Sequence, residues 1–402
     1  MSEINGKNNP ARPRRAPANG KRDGRTRLLD AAIDMLCRQP PSSITGRRLA
    51  SNAVVHHTLI GQTFGTVAKL LAAAYARERA SLITAEFNDP LRPLRPFALA
   101  DHARFWRAHV HFLLDPFDPT IVAELATDQP VALAARALEA QYPGRLKSTA
   151  RELAAAWWAL QIGALVFEGP LARGLGISLS RRDLVRSLSG ARIEQLIADC
   201  PDELAPGKVE YGLQRKPFRN PQKKLAAKEW LLIEAAAEML TTRADAGISG
   251  RELAGRAGVN YGLIHYYFGT REAVFDQAFI HLQQICVDDF VGNKTDDSGI
   301  PFRMIAHAQF LRAWAGRELA GTAMPPVDLS GMERLLDNLA SSREVDARSS
   351  QALGTAQSDA LCSVALQLGW VLCHDNVTGT FEVDEIDIRS RLLRINRTFL
   401  KN

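Results

Sequence analysis

The clearest periodicity along the chain is the set Leu28, Ala31, Ala32, Met35 and Leu36, spaced i, i+3, i+4, i+7, i+8. That spacing places all five on one helical face and predicts a buried stripe. The stripe returns 204 residues later as Leu232, Ala235, Ala236, Met239 and Leu240. Downstream, Ile44, Leu49, Ala50, Ala53, Val55, Leu59, Ile60 and Phe64 are matched by Ile248, Leu253, Ala254, Ala257, Val259, Leu263, Ile264 and Phe268. Over 28–75 and 232–279 more than a third of the positions are identical without a gap, while most polar positions between them differ. A scaffold is repeated and its exposed face has diverged. His102-Ala103-x-Phe105-x-Arg107-Ala108 returns at offset 205 as His307-Ala308-x-Phe310-x-Arg312-Ala313, and Ala159-Leu160-Gln161-Ile162-Gly163 returns at offset 206 as Ala365-Leu366-Gln367-Leu368-Gly369. Two tandem units of about 200 residues are expected, each a short helical segment followed by a longer one. Period-two alternation is scarce, so the expected fold class is all-α.

In the second unit Ser249-Gly250-Arg251-Glu252 fits Ser-x-x-Glu, a capping box that starts a short helix running to about Arg256. Gly258 supplies a residue tolerant of positive φ for a tight turn, and Asn260 is placed to cap the next helix. Two short helices joined by a glycine turn make a helix-turn-helix. Its second helix offers Asn260, Tyr261, His265 and Tyr266 for hydrogen bonding or stacking at base edges, while Leu263, Ile264 and Phe268 anchor it.

The run Ala257-Gly258-Val259-Asn260-Tyr261-Gly262-Leu263-Ile264-His265-Tyr266-Tyr267-Phe268-Gly269-Thr270-Arg271-Glu272-Ala273 resembles the DNA-binding signature of the tetracycline-repressor (TetR) family. The resemblance implies an all-α protein with an N-terminal three-helix DNA-binding domain and a larger helical domain that binds a small effector and dimerises through its last two long helices. It implies that Tyr267 and Arg271 hold phosphates, that Asn260, Tyr261 and His265 or Tyr266 read bases, and that Gly262 permits close backbone approach.

The first copy departs from this pattern where the chemistry falls. Val54 stands for Gly258, Thr58 for Gly262, Gly61 for His265, Thr63 for Tyr267, Val67 for Arg271, Ala68 for Glu272 and Arg48 for Glu252. A β-branched residue suits a positive φ poorly. Thr45 remains able to cap, and His56, His57, Thr58, Gln62 and Lys69 remain as candidate DNA contacts. Two readings stay open: a divergent head with its own half-site preference, or a retained scaffold that leaves DNA to the second head.

Charge sharpens the partner class. Residues 1–27 carry eight basic side chains against two acidic ones, and 206–228 carry seven against one; each segment is net +6 in a chain whose total is also +6. Both precede a helix-turn-helix and suit phosphate neutralisation or minor-groove insertion. The longest nearly apolar run, 153–167, falls short of the roughly 20 residues of a membrane span. No secretory leader is read, so a cytoplasmic location is expected. Five scattered cysteines without a Cys-x-x-Cys pair indicate neither a disulfide framework nor a zinc site. The absence of Gly-x-Ser-x-Gly, P-loop and His-Glu-x-x-His motifs argues against an enzyme; no catalytic residue, cofactor or metal is assigned.

The expected organisation is a disordered basic arm (1–27), a first helix-turn-helix domain (28–76), a first effector and dimerisation domain (77–200), a basic linker (201–224), a second helix-turn-helix domain (225–280) and a second effector and dimerisation domain (281–402). His102, Phe105, Trp106 and His109 share a helical face and read either as one wall of a largely apolar effector pocket or as core; His307, Phe310 and Trp314 repeat the register. The Ala-rich segment 152–167 and its counterpart 361–373 correspond, by the resemblance, to dimer helices. In a tandem chain these could join within one polypeptide as a pseudo-dimer, or pair between chains as a homodimer. The expected function is a transcriptional regulator of an operator in double-stranded DNA, as a repressor released by its effector. The alternatives are a regulator using only the second head, and a ligand sensor that does not bind DNA.

Overall fold

The computed structural model describes residues 23–115, 129–200, 227–240, 247–292, 302–342 and 350–400. The basic linker at 201–224, and the N-terminal arm up to residue 22, lie outside the described residues. In chain order the α-helices are α1 (Gly24–Leu36), α2 (Gly46–Asn52), α3 (Thr58–Phe64), α4 (Val67–Glu86), α5 (Ala103–Leu114), α6 (Pro130–Gln141), α7 (Lys147–Val166), α8 (Glu168–Gly174), α9 (Arg182–Asp199), α10 (Ala227–Leu240), α11 (Gly250–Arg256), α12 (Gly262–Phe268), α13 (Arg271–Gly292), α14 (Ala308–Ala320), α15 (Ser330–Ser342), α16 (Ser350–Phe381) and α17 (Glu385–Leu400). Among the described residues there is no strand, and no helix is long and apolar enough to cross a membrane. The order α1 to α5 is matched in kind and length by α10 to α14, down to a short 3-10 turn before α5 and before α14. The later helices differ: α7 stops at Val166 and α8 follows, whereas α16 runs unbroken for 32 residues.

Local chemistry explains the starts. Asp23 accepts a hydrogen bond from the Thr26 amide at 2.7 Å, Thr45 from Arg48, Thr66 from Lys69, Ser249 from Glu252 and Thr270 from Ala273, each side-chain oxygen satisfying an orphan amide of a first turn. The two predicted stripes are buried: Leu28, Ala32 and Leu36 are fully covered, as are Leu232 and Ala236.

The deepest packing joins the two halves of the chain, where α7 lies against α16. A Cβ added to Gly163 would sit 1.9 Å from the carbonyl oxygen of Ala365, and one added to Gly369 would sit 1.7 Å from that of Ala159. The backbones therefore touch, and the contact is reciprocal. α9 packs along α16, and α17 packs on both α16 and α7. Arg192 on α9 reaches Asp359 on α16 at 3.2 Å, while Arg391 on α17 reaches Glu152 on α7 at 3.0 Å. A second reciprocal pair lies nearer the heads: Arg107 on α5 donates to the Leu319 carbonyl at 3.5 Å, and Arg312 on α14 donates to the Leu113 carbonyl at 2.5 Å. Each guanidinium thus satisfies a carbonyl of the other half's last helical turn.

Glu152 is nearly covered, and burial pushes its carboxyl up to about 7 although the Arg391 guanidinium opposes the shift. The folded chain then holds a proton that the unfolded chain, at the ordinary value of 4.5, releases between those two pH values. Stability should fall as pH rises through that window, by about 2 kcal/mol after allowance for solvent screening. Urea titrations at pH 5 and pH 8 should show this loss in the wild type and its absence in Glu152→Gln. Gly369→Ala should cost about 3 kcal/mol in the same measurement, because the obstructing atoms are backbone and cannot rotate away.

Candidate nucleic-acid interface

In the second head the capped helix α11 ends at Arg256, whose guanidinium pairs with Glu238 on α10. Gly258 then turns the chain at φ +65°, and the Val259 amide donates back to the Ala254 carbonyl at 3.0 Å. Asn260 does not occupy the cap position itself but lies one residue earlier. Its Oδ1 accepts from the Gly262 amide at 2.8 Å, and the residue is exposed. Ile264 is buried and Leu263 and Phe268 pack on the core, so the opposite face of α12 is presented to solvent. Tyr266 is 77% exposed and Tyr261 is exposed, its ring lying over Gly250, where a Cβ would come within 2.7 Å of Cε2.

Two of the expected contact residues are tied up within the head. His265 Nδ1 lies 2.9 Å from the Gly269 carbonyl and Nε2 lies 3.2 Å from the Tyr261 hydroxyl. A carbonyl only accepts, so Nδ1 carries the proton and Nε2 accepts from the tyrosine. The pair braces the recognition helix. Arg271 donates to the Ile248 carbonyl at 2.5 Å and to Glu272 at 2.7 Å, joining the start of α13 to the segment before α11. Tyr267 is half-buried between Tyr266 and Phe268.

The first head keeps the backbone with different side chains. Val54 takes the turn position at φ +51°, and the Val55 amide donates to the Ala50 carbonyl at 3.0 Å, reproducing the glycine turn. The side chain is 78% exposed, and the residue's carbonyl accepts from Arg27 at 2.9 Å. His56 stands where Asn260 does: its Nδ1 lies 2.8 Å from the Thr58 hydroxyl and accepts, at 3.5 Å, from the Thr58 amide. His57, Thr58, Gln62 and Lys69 are exposed, as is the capping Thr45. Where His265 and Arg271 fill the second head, Gly61 and Val67 leave an open groove of about 830 Å³, lined by Thr45, Arg47, His57, Thr58 and Gln62 among others. Sequence reasoning passed over Arg47, which lines this groove, and Arg48 beside it. The signal was available: residues 45–69 contain Arg47, Arg48 and Lys69 and no Asp or Glu, whereas 249–273 contain three arginines and two glutamates.

A capped helix, a tight turn and a second helix with a polar aromatic outer face define a helix-turn-helix of the kind that enters the DNA major groove. Residues 232–278 match the family model described as bacterial regulatory proteins, tetR family, and this match supports a DNA-binding transcriptional regulator of that family. No curated protein matches the chain.

The candidate effector residues do not converge on one face. Phe105 and His109 point inward and stack with Tyr75, whose hydroxyl is 2.9 Å from His109 Nδ1; Trp158 closes edge-on against His109. Burial drives His109 down to about 3, so its ring is neutral, and pushes the Tyr75 hydroxyl up. His102 instead sits before α5 and reaches Glu86 at 3.3 Å, and Trp106 carries Arg107 over its ring. In the second half His307 is buried, Phe310 packs between Phe279 and Trp314, and Trp314 also meets Phe167 of the first half at 4.8 Å. Among the described residues no group of three His, Cys, Asp or Glu side chains is placed to hold a metal ion.

Val54 stores strain that glycine would not, and its side chain touches little. Val54→Gly should stabilise α2 and α3 by about 1 kcal/mol, read as roughly fivefold slower amide hydrogen exchange in those helices.

Proposed function

We propose that the chain is a tandem TetR-type regulator in which two unlike heads, carried on one polypeptide as a pseudo-dimer, contact one operator in double-stranded DNA, and in which a small, largely apolar effector releases it as a repressor. The reciprocal packing of the halves carries this reading: Gly163 against Ala365 and Gly369 against Ala159, Arg107 to Leu319 and Arg312 to Leu113. Such pairwise exchange is the signature of a twofold interface, in which residue i meets j and j meets i. The recurrence of helix order and the 204–206 residue offsets support descent from one unit. The operator is expected not to be a strict palindrome, with the two heads' sites about 34–36 Å apart or a multiple of it. Asn260, Tyr261, Gly262 and Tyr266 form the second head's base-facing set, with Tyr267 and Ser249 at its margins. His265 and Arg271 act there chiefly by holding the recognition helix in place. The aromatic cluster around Phe105 and His109, and that around Phe310 and Trp314, are where an apolar effector would insert.

The loss of the Tyr-Arg pair at Thr63 and Val67 favours one competing arrangement, in which the second head alone binds and chains pair with one another. Native mass spectrometry on duplexes recovered by the protein from sheared genomic DNA separates the two. One chain per duplex is expected, and two chains would establish the competing arrangement. Tyr266→Ala should lower affinity for the recovered site about tenfold while leaving the fold intact by circular dichroism. Absence of any salt-sensitive DNA binding would leave a ligand sensor instead.

A further inference from the structure

The two heads differ in charge economy as well as in sequence. In the second head Arg256 pairs with Glu238, and Arg271 with Glu272 and the Ile248 carbonyl. Arg251, the counterpart of Arg47, is exposed, but Glu252 and Ala273 stand where the first head has Arg48 and Lys69. In the first head the acids are occupied on the far side, Asp30 with Arg77, Asp34 with Arg104, and Glu86 with Arg95 and His102. Arg47, Arg48 and Lys69 are exposed and make no ion pair or side-chain hydrogen bond among the described residues. Residues 24–86 carry eight basic side chains against four acidic ones, while 227–292 carry five against nine. The head without the family's clamp is the one with net positive charge, +4 against −4.

Shape points the same way. On the second head Tyr266 stands 77% exposed on α12. On the first head a Cβ on Gly61, where the second head has His265, would meet nothing within 4 Å, and an open groove between α2, α3 and the start of α4 is bordered by Arg47, His57 and Gln62. A projecting aromatic suits base edges on the floor of a DNA groove, whereas an open basic groove suits the sugar-phosphate ridge. Phosphate contacts hold a protein on the duplex but carry little sequence information.

We propose that the heads divide the work: the second reads sequence, and the first grips the DNA backbone through Arg47, Arg48 and Lys69 with little base preference. This rests on the DNA-binding reading above. The operator then has one informative half and one permissive half. A protein of this design tolerates drift in half of its site without losing the charge that holds it there.

The test is selection of the full chain on a randomised duplex library, followed by salt titrations of the selected duplex. One sequence-defined half-site, flanked by a protected stretch without base preference, is the expected result. Arg47→Gln combined with Arg48→Gln should weaken binding by the same factor on selected and scrambled duplexes, and flatten the slope of log affinity against log salt by about two. Gly61→Leu, which fills the groove where no neighbour is crowded, should act in the same uniform way. Two equally defined half-sites would overturn the division of labour while leaving DNA binding intact. So would a double-arginine variant that binds as the wild type does. Failure to enrich or retain any duplex would overturn the DNA-binding reading itself.

Discussion

The contact of backbone on backbone at Gly163 and Gly369 sets the geometry of everything around it. Two helices can approach so closely only where neither carries a side chain, and here each glycine lies under a carbonyl of the opposing helix. Once α7 and α16 cross at that point, α9 and α17 fill the flanks, and the ion pairs of Arg192 with Asp359 and Arg391 with Glu152 become possible on opposite sides of the crossing. The arginines of α5 and α14 then cap each other's helices. The heads are attached to these helices, so the crossing also constrains how far apart two recognition helices stand.

The two heads share a scaffold and differ in their polar groups. Ile60 and Ile264, Leu49 and Leu253, and Leu28 and Leu232 are buried in both, so the two scaffolds share their apolar contacts. The polar work is done by different chemistry at matching places. An asparagine and a histidine serve the same amide at the start of the recognition helix, and a glycine and a strained valine make the same turn. Tertiary packing holds Val54 at a φ that its side chain resists, which shows that the apolar scaffold outweighs a local cost of about 1–2 kcal/mol.

Charge has moved with shape. The second head uses Arg256 and Arg271 for internal order, bracing α11 to α10 and the start of α13 to the segment before α11, and has Tyr266 exposed on α12. The first head lacks those braces and has an open groove, with Arg47, Arg48 and Lys69 exposed. In the long helical domains the aromatic clusters are packed ring on ring, with His109 kept neutral by burial.

Much of this was legible in the residues alone. The i, i+3, i+4, i+7 stripes marked the helices and the Ser249 cap marked a helix start, because periodicity and capping are local properties of the chain. Gly258 against Val54 marked the turn and its strain for the same reason. The repeated Gly of Ala-Leu-Gln-x-Gly was visible as a motif, but not as the point where backbones touch, since that depends on a helix two hundred residues away. Likewise the chain carried Arg271 and His265 as candidate DNA contacts, and only the folded head binds them to Ile248, Glu272, Gly269 and Tyr261. The stripe through His102, Phe105, Trp106 and His109 was real as a periodicity, yet His102 turned to Glu86 and His109 to Tyr75. Local pattern settled which residues form helices and which faces are apolar; which partner each polar side chain takes, and where a groove opens, was decided by tertiary structure, because hydrogen bonds and ion pairs go to whatever group the packing brings within about 3 Å.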